Sequence, residues 1–102
     1  MGHTFTNKKA GIEWHVKVSD AEFLNSLFFG LFEKIGHTPR SVEDCKIMAR
    51  IMKNRCSLNK YYRPYWPELY NEQKLSLGDI EWLLEGASFF EKIEDFHDLE
   101  RT

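Results

Sequence analysis

Cysteine is scarce in this chain of 102 residues, which contains only Cys45 and Cys56. On one shared helix, two residues 11 positions apart lie about 16 Å apart along the axis. A disulfide needs Cα atoms within about 7 Å of each other, so the spacing predicts two free thiols that pack as small apolar side chains. Free thiols are typical of a reducing compartment, and we therefore expect a cytoplasmic protein.

Long apolar runs are also missing. No stretch approaches the roughly 18 apolar residues that a membrane span needs. No basic start precedes an apolar stretch and a small-residue cleavage site, so we expect no secretory signal. Three prolines and six glycines are too few for a collagen or a low-complexity chain. With 42% hydrophobic and 15% aromatic residues, we expect one compact domain over residues 1–102.

The common signatures of catalysis are absent from the sequence. It has no glycine-rich phosphate loop, no zinc-ligand spacing and no nucleophile motif. Glu94 and His97 have the i, i+3 spacing of one half of a di-iron carboxylate site, but a second such pair is missing. We therefore predict a protein that is not an enzyme and that has no cofactor and no metal.

The start of the chain has the period of two that is typical of a half-buried strand. Apolar residues alternate with charged or polar ones from Ile12 to Val18. Residues 4–6 are predicted as a short preceding strand, with residues 7–11 as the turn. A lone hairpin is marginal in water, so we expect it to pack on helices or to pair with another chain.

Two amphipathic helices are predicted to follow. A capping box of Ser19 and Glu22 predicts the start of the first, whose apolar positions continue to Ile35 and end at Gly36. The second is predicted to begin either at residues 38–39 or at residues 41–44, and to end near residue 57. Its apolar stripe consists of Val42, Cys45, Met48, Ala49, Met52 and Cys56.

A third helix is predicted from the capping box of Ser76 and Asp79. Its apolar positions are Ile80, Leu83, Leu84, Ala87, Phe90 and Ile93, with an extension to Phe96. Gly86 within it indicates close helix packing or a kink. The predicted fold class is mainly α with a small N-terminal β element (α+β). In it, a strand or hairpin is followed by three main helices and an ordered aromatic loop.

The aromatic loop is predicted in residues 60–70, which contain five aromatic side chains and two prolines. The residue before a proline is disfavoured in helical space, so Arg63 and Trp66 are predicted to be extended. Tyr, Trp and Arg dominate interface hot spots. We therefore predict a partner-binding surface at Tyr61, Tyr62, Arg63, Tyr65 and Trp66. The alternative is that Tyr62, Trp66 and Tyr70 roof the core.

Charge is unevenly distributed along the chain, whose formal net charge is −2. Residues 40–63 hold seven basic and two acidic side chains, whereas residues 64–102 hold three basic and ten acidic ones. Lys46, Arg50 and Lys53 form a basic stripe at helical spacing, which predicts contacts either with phosphate or with an acidic partner. The acidic partner would be the last helix, within the chain or across a homodimer. We expect a homodimer, because the opposite charges and the edge of the strand that begins at Ile12 both favour self-association.

The function that we expect is that of a small non-catalytic protein-binding module. It would act as an inhibitor, adaptor or regulator of a macromolecular partner, by occlusion or bridging. A short, charge-polarised chain of this kind could come from a phage or mobile element, so a viral protein is one expectation. The alternative is a nucleotide-binding or single-stranded nucleic-acid-binding protein that uses the basic and aromatic segment 46–66.

Overall fold

The computed structural model describes residues 2–28, 37–65 and 75–102, with residues 59–65 described by their backbone. A hairpin of β1 (His3–Asn7) and β2 (Ile12–Val16) leads into helix α1 (Val18–Leu27). Then follow the long helix α2 (Val42–Tyr65), helix α3 (Leu77–Glu91), a 3-10 turn (Phe96–Asp98) and strand β3 (Leu99–Arg101). The predicted class, mainly α with an N-terminal β element, is confirmed.

The sheet has three antiparallel strands in the order β2-β1-β3. The predicted hairpin is confirmed, with Phe5 opposite Trp14 and with Gly11 at a φ of 67° in the turn, a conformation that favours glycine. Strand β3 was not predicted. It pairs with the other edge of β1, where Thr4 and Thr102 exchange two backbone hydrogen bonds of 3.0 and 2.9 Å.

The outer edge of β2 is partly covered by α3. Thr4 directs its backbone groups to β3, so its opposite residue His15 directs its own away from the hairpin. The His15 carbonyl accepts a hydrogen bond of 2.8 Å from the indole of Trp82, and Trp14 donates one of 3.0 Å to the Trp82 carbonyl. The two indoles stack at 4.7 Å. These contacts of Trp82 cover part of the outer edge of β2 and so disfavour a dimer formed by pairing of that edge with a second copy. As expected, β2 has one partner strand among the described residues.

The helix starts agree with the sequence at two positions and differ at one. The Ser76 and Asp79 capping box of α3 is confirmed, and Ser41 caps α2 by accepting from the Asp44 amide at 3.1 Å. Helix α1, by contrast, begins at Val18 with Lys17 at its N-cap and no side-chain cap. The predicted box of Ser19 and Glu22 is therefore wrong, because residue 19 already lies in the first turn. The predicted continuation of this helix through residues 29–36 lies outside the described residues.

Helix α2 is longer than predicted. It continues to Tyr65, so its predicted end near residue 57 is wrong, and Arg63 is helical rather than extended. The segment predicted as an aromatic loop is thus helix as far as residue 65, and Trp66 lies outside the described residues. Pro64 has no N–H and cannot donate a hydrogen bond to the carbonyl four residues earlier, and the helix ends one residue after it.

Helix α3 is shorter than predicted. It ends at Glu91, and Asp95 caps the 3-10 turn that follows by accepting from the His97 amide at 2.9 Å. Ile93 is nevertheless buried, because the chain after the helix turns back over the core. Leu84, predicted to be core, is 44% exposed.

The core lies between the sheet and the helices. Phe5, Trp14, Leu24, Phe28 and Phe90 are buried in it. The predicted stripe of α2 is confirmed: Val42 packs against the core and the other five members are buried. Among the described residues, no helix has both the length and the apolarity to cross a membrane.

Close packing between β2, α2 and α3 occurs at Gly86. A Cβ there would lie 2.5 Å from Met52 Cε and would also overlap the ring of Trp14. The prediction of close helix packing at Gly86 is therefore confirmed. Both cysteines are free, and burial raises the pKa of the Cys45 thiol to about 12, so it stays protonated.

Candidate functional site

The exposed face of α2 is the longest continuous helical surface that the structure describes. The helix has 24 residues, which corresponds to a length of about 36 Å. Its buried stripe includes Cys45, Met52 and Cys56, whereas Lys46 and Arg50 are exposed. The sequence prediction that basic and apolar stripes lie on separate sides of this helix is confirmed.

Helical spacing sorts the predicted partner-binding residues onto different sides of α2. Tyr61 is 11 residues after Arg50, close to three full turns, and Tyr65 is four residues after Tyr61. Both positions therefore lie within about 60° of Arg50 around the helix axis. Arg63 stands seven residues after Cys56, in register with the buried stripe.

Tyr62 belongs to a third side of the helix. It stands seven residues after Arg55, whose side chain is half-buried. The four predicted residues that the structure describes thus do not share one face: Tyr61 and Tyr65 are one turn apart, Arg63 stands on the opposite side, and Tyr62, three residues before Tyr65, lies between these two sides.

One member of the basic stripe has an acidic partner within the chain. Lys53 forms an ion pair with Glu91 at the end of α3, and both side chains remain about half exposed. Such surface pairs contribute roughly 0–1 kcal/mol. Within residues 2–28, 37–65 and 75–102, no hydrogen bond or ion pair engages the side chain of Lys46 or Arg50. The stripe therefore retains two available cations about 6 Å apart along the axis.

A partly buried polar cluster that the sequence did not reveal joins β1, α1 and the residues before α2. His37 is 6% exposed, and its Nδ1 lies 2.7 Å from Asn25 Oδ1 while its Nε2 lies 2.8 Å from His3 Nε2. An amide oxygen only accepts, so His37 donates from Nδ1 and accepts at Nε2 from His3. Scattered histidines carry no spacing signal, so only the tertiary structure brings this pair together.

Burial, followed by the positive charge of neighbouring groups, keeps this histidine pair neutral. Desolvation, His3 and Arg101 lower the pKa of His37 to about 4, and desolvation is the largest cause. Desolvation also lowers the pKa of His3, with smaller contributions from Arg101 and His15. The cluster is a structural contact between neutral rings at pH 7.

The acidic end of the chain does not form the half metal site that its spacing suggested. Helix α3 stops at Glu91, so Glu94 and His97 do not lie on one helical face. Glu94 pairs with Lys9 at 3.3 Å, and His97 pairs with Asp95 at 3.0 Å. In the described parts of the chain, no three His, Cys, Asp or Glu side chains are grouped as a metal site.

Two surface depressions are lined by residues that the structure describes. One of about 330 Å³ is lined by the paired side chains of Lys9 and Glu94, whose charges already compensate each other. Another of about 170 Å³ lies between α1 and α3 beside Phe23 and Trp82. Pockets for drug-sized ligands usually have about 300–1,000 Å³, so the second is too small for a nucleotide.

The exposed face of α2 is therefore the best candidate for a contact surface: an elongated, basic helix side that continues to two tyrosine positions. Comparison of the chain with protein-family models, with curated proteins and with solved structures finds no match.

Proposed function

We propose that this protein is a non-catalytic binding module that acts on another protein as an inhibitor, adaptor or regulator. The contact surface of this proposal is the C-terminal part of the exposed face of α2, centred on Tyr61 and Tyr65. The observation that carries it is the unbroken course of α2 to Tyr65, which sets these two tyrosines one turn apart on a rigid element.

Rigid presentation of tyrosines supports binding to a protein. A tyrosine on a helix has its backbone already ordered, so less conformational entropy is lost when a partner binds. Tyrosine combines a large apolar ring with a polar hydroxyl and is enriched at interface hot spots. The cations of Lys46 and Arg50 on the same side of the helix would favour a partner with an acidic rim. The free thiols support the cytoplasmic location that belongs to this proposal.

The second candidate is a nucleotide-binding or single-stranded nucleic-acid-binding protein that uses segment 46–66. Its support is that Lys46 and Arg50 are exposed on the side of α2 that also carries Tyr61 and Tyr65. Phosphate contacts release counterions, so binding would weaken steeply with salt, whereas docking on tyrosines would not.

The test compares tyrosines on and off the proposed face. Wild-type protein first captures its partner from extract of the native host, and mass spectrometry identifies it. Tyr61→Ala and Tyr65→Ala should then each weaken binding by about 2 kcal/mol, roughly thirtyfold, as expected for a hot spot. Tyr62→Ala, about 100° around the same helix from Tyr61 but only three residues from Tyr65, is the comparison variant and should weaken binding less than either of the other two changes.

Two results would contradict the proposal. One is equal loss of affinity in all three tyrosine variants together with equal loss of thermal stability, which would make the tyrosines part of the core. The other is a partner that proves to be a nucleic acid whose affinity falls with the salt slope of several phosphate contacts.

A further inference from the structure

A buried side chain at the turn of the hairpin contains a hydrogen-bond donor without a partner in the fold. Asn7 ends β1 and is 2% exposed. Its Oδ1 accepts a hydrogen bond of 3.1 Å from the Ala10 amide within the turn. This contact fixes the orientation of the side-chain amide, because only its oxygen can accept from the Ala10 N–H. The NH2 group at Nδ2 is therefore the free end of the side chain.

The Nδ2 group of Asn7 reaches the surface in a depression. No acceptor among the described residues receives a hydrogen bond from it. In the same part of the chain, no side-chain nitrogen or oxygen is both fully buried and without a partner, so Nδ2 is in contact with solvent. Since Asn7 lines the depression of about 330 Å³, this opening lies there. Ligand sites typically combine a concave surface with a few such polar groups that orient the ligand.

The charges around this donor favour a ligand with one negative charge. Lys9, Lys92 and Glu94 also line the depression. Glu94 forms an ion pair of 3.3 Å with Lys9, whereas Lys92 forms none with another described residue. The lining side chains therefore carry one positive charge in excess, and that excess complements a monoanion.

The end of α3 holds Lys92 beside the depression. Lys92 is the C-cap of this helix, and its amide donates a hydrogen bond of 3.3 Å to the Phe89 carbonyl. A cation is favoured at this end of a helix, because the helix dipole leaves partial negative charge there. The same partial charge repels an anion, so an anion in the depression depends on the ammonium group of Lys92.

We propose that this depression binds a small carboxylate. One carboxylate oxygen accepts a hydrogen bond from Asn7 Nδ2, and the other accepts from the ammonium of Lys92. The hydrocarbon part of the ligand lies beside the methyl group of Ala10 and the apolar stems of the lysines. A carboxylate carries one negative charge and only accepts hydrogen bonds, which matches the charge excess and the two donors. Since the volume is near the lower end of the roughly 300–1,000 Å³ of ligand pockets, a short aliphatic carboxylate fits best.

This site is separate from the contact surface proposed on α2. It is formed by the hairpin turn and by residues 92–94, and none of its lining residues belongs to α2. Failure to bind a carboxylate would leave the tyrosine test unchanged. A protein that binds a carboxylate but no partner through Tyr61 and Tyr65 would contradict only the proposed function.

The experiment is a titration of isotope-labelled protein, followed by heteronuclear NMR at constant ionic strength. The probes are butyrate, butyramide and butylammonium, which have hydrocarbon chains of similar length and differ in the terminal group. Butyrate should shift the side-chain NH2 signals of Asn7 and the backbone amides of Ala10 and Lys92 to saturation, with a Kd of about 1 mM. Butyramide, which lacks the charge, should bind at least about tenfold more weakly, and butylammonium should not bind.

Three variants test the role of each side chain. Asn7→Asp keeps the oxygen that accepts from Ala10 but replaces the Nδ2 donor with a second carboxylate oxygen, so butyrate binding should be lost. Lys92→Gln removes the cation at an exposed position and should weaken butyrate binding at least about fivefold. Glu94→Gln releases Lys9 from its ion pair and should strengthen butyrate binding about threefold.

The matched control is Lys17→Gln, which removes the same charge at an exposed position beyond the other end of β2 and should change the Kd less than about twofold. The proposal is overturned if butyrate causes no saturable shift up to about 50 mM, or if butyramide or butylammonium binds equally well. It is also overturned if Lys17→Gln weakens binding as much as Lys92→Gln does, because the overall charge would then govern binding. Circular dichroism checks the folding of Asn7→Asp. If that variant unfolds, Lys92→Gln and Glu94→Gln decide, since the two must change the affinity in opposite directions.

Discussion

Replacing Gly86 with alanine tests the packing between β2, α2 and α3. The added methyl would lie 2.5 Å from Met52 Cε and would overlap the ring of Trp14. Met52 can shift the end of its flexible side chain. Trp14 cannot move easily, because its indole stacks on Trp82 and donates a hydrogen bond to the Trp82 carbonyl.

Two effects of opposite sign decide the magnitude. Alanine is favoured over glycine within a helix by about 1 kcal/mol. Overpacking a well-packed core typically costs 1–3 kcal/mol and more where rings must move. Because the Trp14 overlap involves a fixed ring, we expect Gly86→Ala to lower the free energy of unfolding by about 2 kcal/mol. That corresponds to a fall of about 8–16 °C in Tm for a domain of this size.

A matched control lies in the same helix. Gly78 stands in the first turn of α3, where an added Cβ would lie 3.8 Å from Ser76 Oγ, an ordinary contact. Gly78→Ala should therefore leave stability unchanged or raise it by up to about 1 kcal/mol. Urea denaturation followed by circular dichroism measures both variants. If Gly86→Ala is as stable as wild type, the packing of Trp14 and Met52 against α3 is wrong.

Three further predictions concern groups in the core or packed against it. The pKa of His37 is lowered from 6.5 to about 4, so between these pH values the unfolded chain binds a proton at this residue and the folded chain does not. Stability from this group is therefore full above pH 6.5 and decreases by up to about 3 kcal/mol as the pH falls towards 4. Urea midpoints between pH 7 and pH 4 should show this slope, and His37→Gln should flatten it; equal slopes would refute the assignment. Trp82→Phe removes the hydrogen bond to the His15 carbonyl and should cost about 1–2 kcal/mol in a thermal melt, whereas an unchanged Tm would show that the edge of β2 needs no cover. Cys45, buried and with its pKa raised to about 12, should resist alkylation in native protein at pH 8 and react on unfolding; rapid native labelling would contradict its burial.

Local sequence patterns were sufficient where the physical cause is local. The alternation from Ile12 to Val16 defines a strand because successive side chains point to opposite faces. The box of Ser76 and Asp79 defines a helix start because both groups satisfy amides within one turn. The same holds for the buried stripe of α2, which repeats with the helical period.

The candidate site could be predicted only in part, because a proline signal near a helix end is weak. The preference against helix at Arg63 is local and small, and α2 extends through it by two further residues. Because α2 continues to Tyr65, the residues of the predicted contact surface are distributed around the helix, and Tyr61 and Tyr65 stand one turn apart. The separation of basic and apolar stripes, by contrast, followed from helical spacing alone.

The remaining features depend on contacts between residues far apart in the chain, which no local pattern encodes. Strand β3 forms because Leu99–Arg101 can complete the free edge of β1, although its own sequence is charged and short. The indole of Trp82 on α3 contacts the His15 carbonyl of β2, and His37, which precedes α2, contacts His3 of β1. By itself, the sequence determined the identity of most elements and the polarity of their faces. Tertiary structure decided the third strand, the contacts of Trp82 over β2 and the pairing of His3 with His37, since each joins groups that lie far apart in the chain.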